Sequence, residues 1–235
     1  MRGLFVTGTD TGVGKTFVAV GLARLLRGDG LRVGVMKPVE TGCDRRGDNL
    51  VPSDAIQLVT AAGGHHDLAL VCPYQFEAPL APDVAARQEG RTIDPAVILD
   101  RFQKIAASHD IVLVEGAGGL LVPIWERYTM ADLAGDVGLP LLVVTASRLG
   151  AVSHTLLTLA HARSRGLPVA AYVLNQLTDA TDDAMSTNAE LLARSTDVPC
   201  AGVIEWSPAD ADRGVSAAAA AVKHAVSVDG LIGTG

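Results

Sequence analysis

Short apolar runs rich in β-formers alternate along this chain with segments whose apolar positions recur every three to four residues. Repeated in that order, the two patterns predict an α/β fold. Its sheet is mostly parallel with helices on both faces, because a parallel crossover is long enough to hold a helix. Strands are expected over Leu4 to Thr7, Leu31 to Lys37, Ile111 to Glu115, Leu139 to Thr145, Val169 to Asn175 and Cys200 to Ile204. Helices are expected over Lys15 to Leu26, Asp54 to Ala62, Asp94 to Ala107, Met130 to Val137, Ala151 to Arg165 and Ala184 to Ser195. Gly138-Leu139-Pro140 and Gly166-Leu167-Pro168 mark places where a helix stops before the next strand. The stretch from Gly63 to Gly90, rich in Pro and polar residues, fits neither period and is expected as an excursion over the sheet edge. Ala217 to Ala221 reads as a terminal helix. No internal repeat is evident, and 235 residues predict one domain spanning 1–235.

Composition narrows the function classes. With 49% hydrophobic and 19% charged residues, the chain can bury a sizeable core. A formal net charge of -7 argues against non-specific binding to nucleic acid or to an anionic membrane, both of which demand clustered positive charge. The amino terminus enters a strand directly, with neither a signal peptide's basic and apolar regions nor a membrane-length apolar run, so a cytoplasmic location is expected. Cys43, Cys72 and Cys200 are odd in number and far apart, which predicts reduced thiols rather than a disulfide framework or a zinc site.

The candidate chemistry begins directly after the first strand, at Gly8-Thr9-Asp10-Thr11-Gly12-Val13-Gly14-Lys15-Thr16. This is a phosphate-binding loop, but the general pattern puts its first glycine where Thr9 stands, and Gly8 comes one position earlier. Gly12 and Gly14 let backbone N–H groups approach phosphate oxygens, Lys15 reaches the terminal phosphates, and Thr16 offers its hydroxyl to Mg²⁺. Open parallel sheets bind ligands outside the carboxyl ends of their strands. There the chain carries Lys37-Pro38-Val39-Glu40-Thr41-Gly42, Glu115-Gly116-Ala117-Gly118-Gly119 and Asn175. Glu115, after Ile-Val-Leu-Val, suits a residue that holds Mg²⁺ or its water. Asp54 reads either as a metal ligand or, with Ser53, as a helix cap. Lys37 reads as a phosphate ligand or as a strand-end lysine reaching for solvent.

Taken together, "GTDTGVGKT", "KPVETG", "VEGAGGLLVP" and "VLNQ" resemble the dethiobiotin synthetase family from Met1 to about Ile204. The displaced Gly8 matches that family's version of the loop, and Asp10 stands where the loop of ParA and MinD type switches has a second lysine. The resemblance implies a P-loop NTPase-like fold. It also implies ATP- and Mg²⁺-dependent ring closure of diaminopelargonate with CO₂, through a carbamate that attacks the γ-phosphate. It implies Lys15 and Lys37 as catalytic residues, and Thr16, Asp54 and Glu115 as metal ligands. Gly12, Val13, Gly14, Phe17, Gly116, Ala117 and Gly118 would lie on ATP. Asn175 would read the adenine, unless it is a turn residue, with Gln176, Ile204, Glu205 and Trp206 nearby. Glu205 departs from the family's usual Ile-Pro-Trp segment. Thr11, Thr41, Gly118 and Gly119 would face the substrate. Ser153 and His154, at the start of a long helix, would take its tail carboxylate across a homodimer, or merely begin the helix. Two other readings stay open: an amidating synthetase of the cobalamin type, and a partner-regulated ParA-like ATPase. The first needs a nucleophilic cysteine, and Cys200, in an apolar strand, reads instead as core. Replacing either lysine is expected to impair phosphoryl transfer while the fold hardly changes.

Overall fold

The computed structural model describes residues 2–179, 182–206, 208, 214–227 and 231. Strand β1 (Gly3–Gly8) is buried along its whole length and ends in the loop that starts helix α1 (Lys15–Gly28). β2 (Val33–Met36) is followed by the short strands β3 (Val39–Thr41), β4 (Asp44–Arg46) and β5 (Asn49–Val51), and then by α2 (Ser53–Ala62). Next come α3 (Leu68–Val71), β6 (Tyr74–Phe76), α4 (Pro82–Gln88) and α5 (Pro95–Ser108). β7 (Ile111–Gly119), β8 (Pro123–Trp125), β9 (Tyr128–Thr129) and α6 (Met130–Val137) lead to β10 (Leu141–Ala146) and α7 (Ala151–Ser164). β11 (Val169–Asn175), α8 (Asp183–Ser195), β12 (Cys200–Ile204) and α9 (Val215–Ala225) complete the described elements.

The main sheet has six strands in the order β12-β11-β10-β1-β7-β2, all paired in parallel. Strand alternation splits its side chains between two cores, so Leu4 and Val6 pack with α1 and α9 while Phe5 packs on the opposite face with α5 and α6. β1 lies at the centre, which puts its loop at the middle of the carboxyl edge.

Helix α6 and strands β11 and β12 coincide with the spans expected from sequence, and the other expected main elements differ only at their ends. β2 is shorter than the run Leu31 to Lys37: before it begins, the Arg32 N–H bonds the Asp110 carboxylate, and after it ends, the Lys37 N–H bonds the Val71 carbonyl. β7 is longer than expected: Gly116 to Gly119 stay extended because Gly119 still pairs with Gly8 of β1. The excursion from Gly63 to Gly90 proves to be ordered. It holds α3, β6 and α4, and β6 pairs in parallel with β3. Elements of three to seven residues are too short for a period to emerge. Cys43 and Cys72 are buried free thiols, but Cys200 is exposed, contrary to its expected place in the core. It opens β12, the edge strand, where one neighbour is missing.

Candidate active site

A cavity of about 760 Å³ opens at the carboxyl edge beside the loop. Thr11, Gly12, Gly14, Lys15, Thr16 and Phe17 form one wall; Lys37, Thr41, Asp54, Glu115, Ala117 and Gly118 converge on it from other elements. The early glycine has a steric reason. A Cβ on Gly8 would come within 2.8 Å of the Asp10 carbonyl and of Val13 Cγ2, so the chain can double back there only without a side chain. Gly14, with φ 91, occupies the left-handed region as the cap of α1, which leaves the helix's first N–H groups facing the cavity.

Lys37 is the centre of the charge arrangement. Its Nζ donates to Glu115 Oε1 at 2.6 Å and to Asp54 Oδ2 at 2.8 Å, and Thr16 Oγ1 donates to the same Glu115 oxygen at 2.8 Å. Burial works against the ammonium, but Glu115 and then Asp54 outweigh it and hold Lys37 above the usual lysine range. At Asp54, Lys37 outweighs burial and keeps the carboxyl below its usual range. Burial pushes the Glu115 carboxyl up against the opposing effect of Lys37. Lys15 is held differently. Its Nζ donates to the main-chain carbonyl of Asp10 at 3.1 Å, and burial followed by the charge of Lys37 brings it down to about 8.

Thr16, Asp54 and Glu115 supply only hard oxygen donors, and Glu115 Oε2 is buried with no partner among the described residues. Among the described residues no group of three or more His, Cys, Asp or Glu could hold a metal by itself. A hydroxyl and two carboxylates that need phosphate oxygens to complete the shell fit Mg²⁺, which is bound in that way at nucleotide sites.

At the other half of the edge, Asn175 is fully buried and its Nδ2 donates to the Val13 carbonyl at 2.9 Å, tying β11 to the loop. Its Oδ1 is buried and has no partner among the described residues, so the acceptor half of the amide is the unsatisfied one. Gln176 Oε1 accepts from the Trp206 N–H at 3.3 Å, and the Gln176 N–H bonds the Ile204 carbonyl, which joins the ends of β11 and β12; Glu205 is exposed there. Gly116 packs against Phe5 rather than facing the cavity, and Gly119 lies over the Gly8 carbonyl. Ser153 and His154 are exposed on the first turn of α7 and do not line the cavity.

Several lining residues escaped sequence reasoning. Pro79, Leu80, Ala81 and Pro82 form a wall from the segment read as an excursion, and their paired prolines were the available signal. Gln57, Val122 and Leu177 carried none. Glu40 also lines the cavity, and burial followed by the Asp54 charge pushes its carboxyl up to about 7. It corrects the reading of Ser53 and Asp54 as the cap of their own helix. Glu40 accepts from the Asp54 and Ala55 N–H groups at 2.9 and 3.0 Å, and α2 has no cap from its own N-cap side chain.

The family model described as AAA domain matches residues 2–212. An ATP-dependent dethiobiotin synthetase BioD of Anaeromyxobacter dehalogenans (strain 2CP-C) is 49% identical over 208 residues, covering 88% of this chain and 92% of that protein. The chain belongs to the dethiobiotin synthetase family. The synthetase of Bacillus subtilis (strain 168) is 40% identical over 203 residues, covering 86% of this chain and 87% of its own. Among solved structures, the MinC:MinD cell division protein complex of Aquifex aeolicus gives a TM-score of 0.59 at 14% identity, covering 92% of this chain and 86% of that one. A ParA family ATPase of Chlorobium tepidum TLS gives 0.57 at 13% identity, with 95% and 92% covered. Those likenesses show the P-loop NTPase-like fold alone, so membership of the synthetase family, whose members named here are ATP-dependent enzymes, rests on sequence.

Proposed function

We propose that this chain is an ATP- and Mg²⁺-dependent dethiobiotin synthetase that closes a cyclic urea on 7,8-diaminopelargonate. The observation that carries the reading is the convergence of Lys15 and Lys37 on one cavity at the phosphate loop, within a chain of this family. Carbon dioxide adds to one substrate amine, which loses a proton to give a carbamate. A carbamate oxygen attacks the γ-phosphorus, releasing ADP and leaving a carbamic-phosphoric anhydride. The second amine attacks the anhydride carbon, loses a proton and expels inorganic phosphate. Attack of one anion on another needs positive charge between them, and Lys15 and Lys37 supply it where it develops. Thr16, Asp54 and Glu115 would hold Mg²⁺, which adds positive charge to the phosphate oxygens when bound.

Gly12, Val13 and Gly14 cradle the phosphates beside Phe17, and the open acceptor of Asn175 would take an adenine N–H, with Gln176, Ile204, Glu205 and Trp206 around the base. Ala117 and Gly118 follow the phosphates, while Gly116, turned to Phe5, supports them from behind. Thr11, Thr41 and Gly118 face the substrate, and Gly119, against the Gly8 carbonyl, holds the turn that brings Gly118 there. The enzyme works in the cytoplasm, where its ATP is supplied. With bicarbonate labelled in all three oxygens by ¹⁸O, one labelled oxygen per turnover should appear in the inorganic phosphate, because the bridging oxygen comes from the carbamate. Unlabelled phosphate accompanying the cyclic urea would refute this route.

Glu115→Gln and Asp54→Asn keep shape while removing a hard anionic ligand. Each should raise the Mg²⁺ concentration for half-maximal rate by about tenfold, roughly 1.4 kcal/mol of binding. A Mg²⁺ titration of the steady-state rate checks this. Half-saturation at the wild-type concentration in both variants would move these carboxylates to the substrate amines.

The substrate tail is the basis for a shared site in a homodimer. Ser153 and His154 stand outside the cavity of their own chain, and they lie between two exposed leucines, Leu149 just before α7 at 83% and Leu157 on α7 at 67%. Helix-start N–H groups with a hydroxyl and an imidazole suit a carboxylate. A chain with Ser153→Glu and His154→Glu, and a second chain with Lys15→Ala, should each be inactive as homodimers. Subunit exchange should restore about a quarter of wild-type activity, since half of the dimers are mixed and each has one intact site. No recovery after proven exchange would mean that the tail is bound within one chain.

A further inference from the structure

The first turn of α2 has an unusual source of capping. Its N-cap residue is Pro52, whose side chain has no acceptor to offer. The N–H groups that an N-cap side chain normally takes, at the second and third helical positions, belong here to Asp54 and Ala55. Both are taken by Glu40, which lies on β3 and is only 5% exposed. One oxygen, Oε1, accepts from the Asp54 N–H at 2.9 Å and from Ser53 Oγ at 3.4 Å, while Oε2 accepts from the Ala55 N–H at 3.0 Å. A carboxylate suits the place because it offers an acceptor to each N–H and its charge is favoured at a helix N-terminus.

Asp54 is the residue that gains most from this. Its carboxylate meets Lys37, which stands three positions before Glu40 in the same segment, while its main chain is held by Glu40 itself. The two side chains of "KPVE" thus fix one residue from two directions, one through its side chain and the other through its backbone. A cation ligand must be held within a fraction of an ångström to serve. We infer that Glu40 is a positioning residue for the metal site: by capping α2 from β3 it sets where the Asp54 carboxylate stands, without touching the cation. The inference rests on the reading of Asp54 as a Mg²⁺ ligand.

The test measures metal binding rather than turnover. Full-length protein is titrated with Mn²⁺ in the presence of a non-hydrolysable ATP analogue, and free Mn²⁺ is followed by electron paramagnetic resonance. Wild type, Glu40→Ala and Glu40→Gln are compared with Asp94→Ala, which removes the side-chain cap of α5 at the Ala96 N–H and so reports the cost of losing a helix cap away from the site. Glu40→Ala should weaken Mn²⁺ binding at least tenfold. Glu40→Gln, which keeps one carbonyl acceptor, should fall between it and wild type, and Asp94→Ala should bind as wild type does. If Glu40→Ala folds, by circular dichroism and thermal melting, and binds within twofold of wild type, Glu40 is a helix cap and nothing more. If Glu40→Ala does not fold, Glu40→Gln decides, and wild-type affinity in it overturns the inference. If Asp94→Ala weakens binding as much, the effect is general destabilisation and the inference fails. Wild-type protein that binds no Mn²⁺ beside the nucleotide would instead overturn the metal reading, and this inference with it.

Discussion

Lys37→Ala is expected to lower kcat by about 100- to 1000-fold, roughly 3 kcal/mol or more of transition-state stabilisation, because it removes a positive charge that the migrating phosphoryl group requires. The structure adds a second effect. From sequence alone the fold should hardly change, but Lys37 is the partner of a glutamate that is 1% exposed. Removing one member of a buried pair leaves an uncompensated charge, at a cost of about 3 kcal/mol. Glu115 can lessen that cost by taking a proton, because burial already pushes its carboxyl up and Lys37 is the main group opposing the rise. The sign follows. The folded variant binds a proton that the unfolded chain releases above the ordinary carboxyl value of 4.5, so the deficit relative to wild type should be small near that value and grow as pH rises. Denaturant unfolding at acidic and neutral pH checks this, alongside single-turnover rates. A variant with near-normal turnover would leave Lys37 a bystander.

Lys15→Ala should cost as much in kcat, again about 3 kcal/mol or more, but little in stability. Among the described residues Lys15 meets only a main-chain carbonyl in its hydrogen bonding, and burial and then Lys37 depress it to about 8. It is a cation held against its own preference, in a place where phosphate would satisfy it. Its removal should change unfolding free energy by less than about 1 kcal/mol, since a poorly solvated like charge disappears with it. The pH dependence has the opposite sense to that of Glu115. Between about 8 and 10.5 the unfolded chain holds more protons on this lysine than the folded one, so wild type gains stability as pH rises and Lys15→Ala lacks that gain. Equal pH slopes in the two proteins would mean that Lys15 is not perturbed in the fold.

The contrast between these two lysines could not be read from the chain. Sequence located Lys37 and Glu115 at the ends of apolar runs and Lys15 and Thr16 behind the glycines of the loop, because the direction of each run fixes where its end lies, and it left Asp54 open between a metal ligand and a helix cap. It could not show that Lys37 ends between two carboxylates while Lys15 ends on a carbonyl, since the partners are up to 78 residues apart in sequence. Glu40 was hidden for the same reason. Alone it reads as a strand-end acid, and only the fold brings it under α2, where it replaces the cap that Ser53 and Asp54 seemed to supply. The wall Pro79 to Pro82 was missed because short elements carry no period, and Cys200 was misjudged because a strand's hydropathy does not say whether it is central or at an edge.

Ring closure on 7,8-diaminopelargonate is seen in its product. The purified protein is incubated with 7,8-diaminopelargonate, bicarbonate, Mg²⁺ and ATP, and the products are examined by mass. Dethiobiotin is expected, formed with one ADP and one phosphate per molecule and absent when any component is left out. ATP turnover without a cyclic urea product would contradict it.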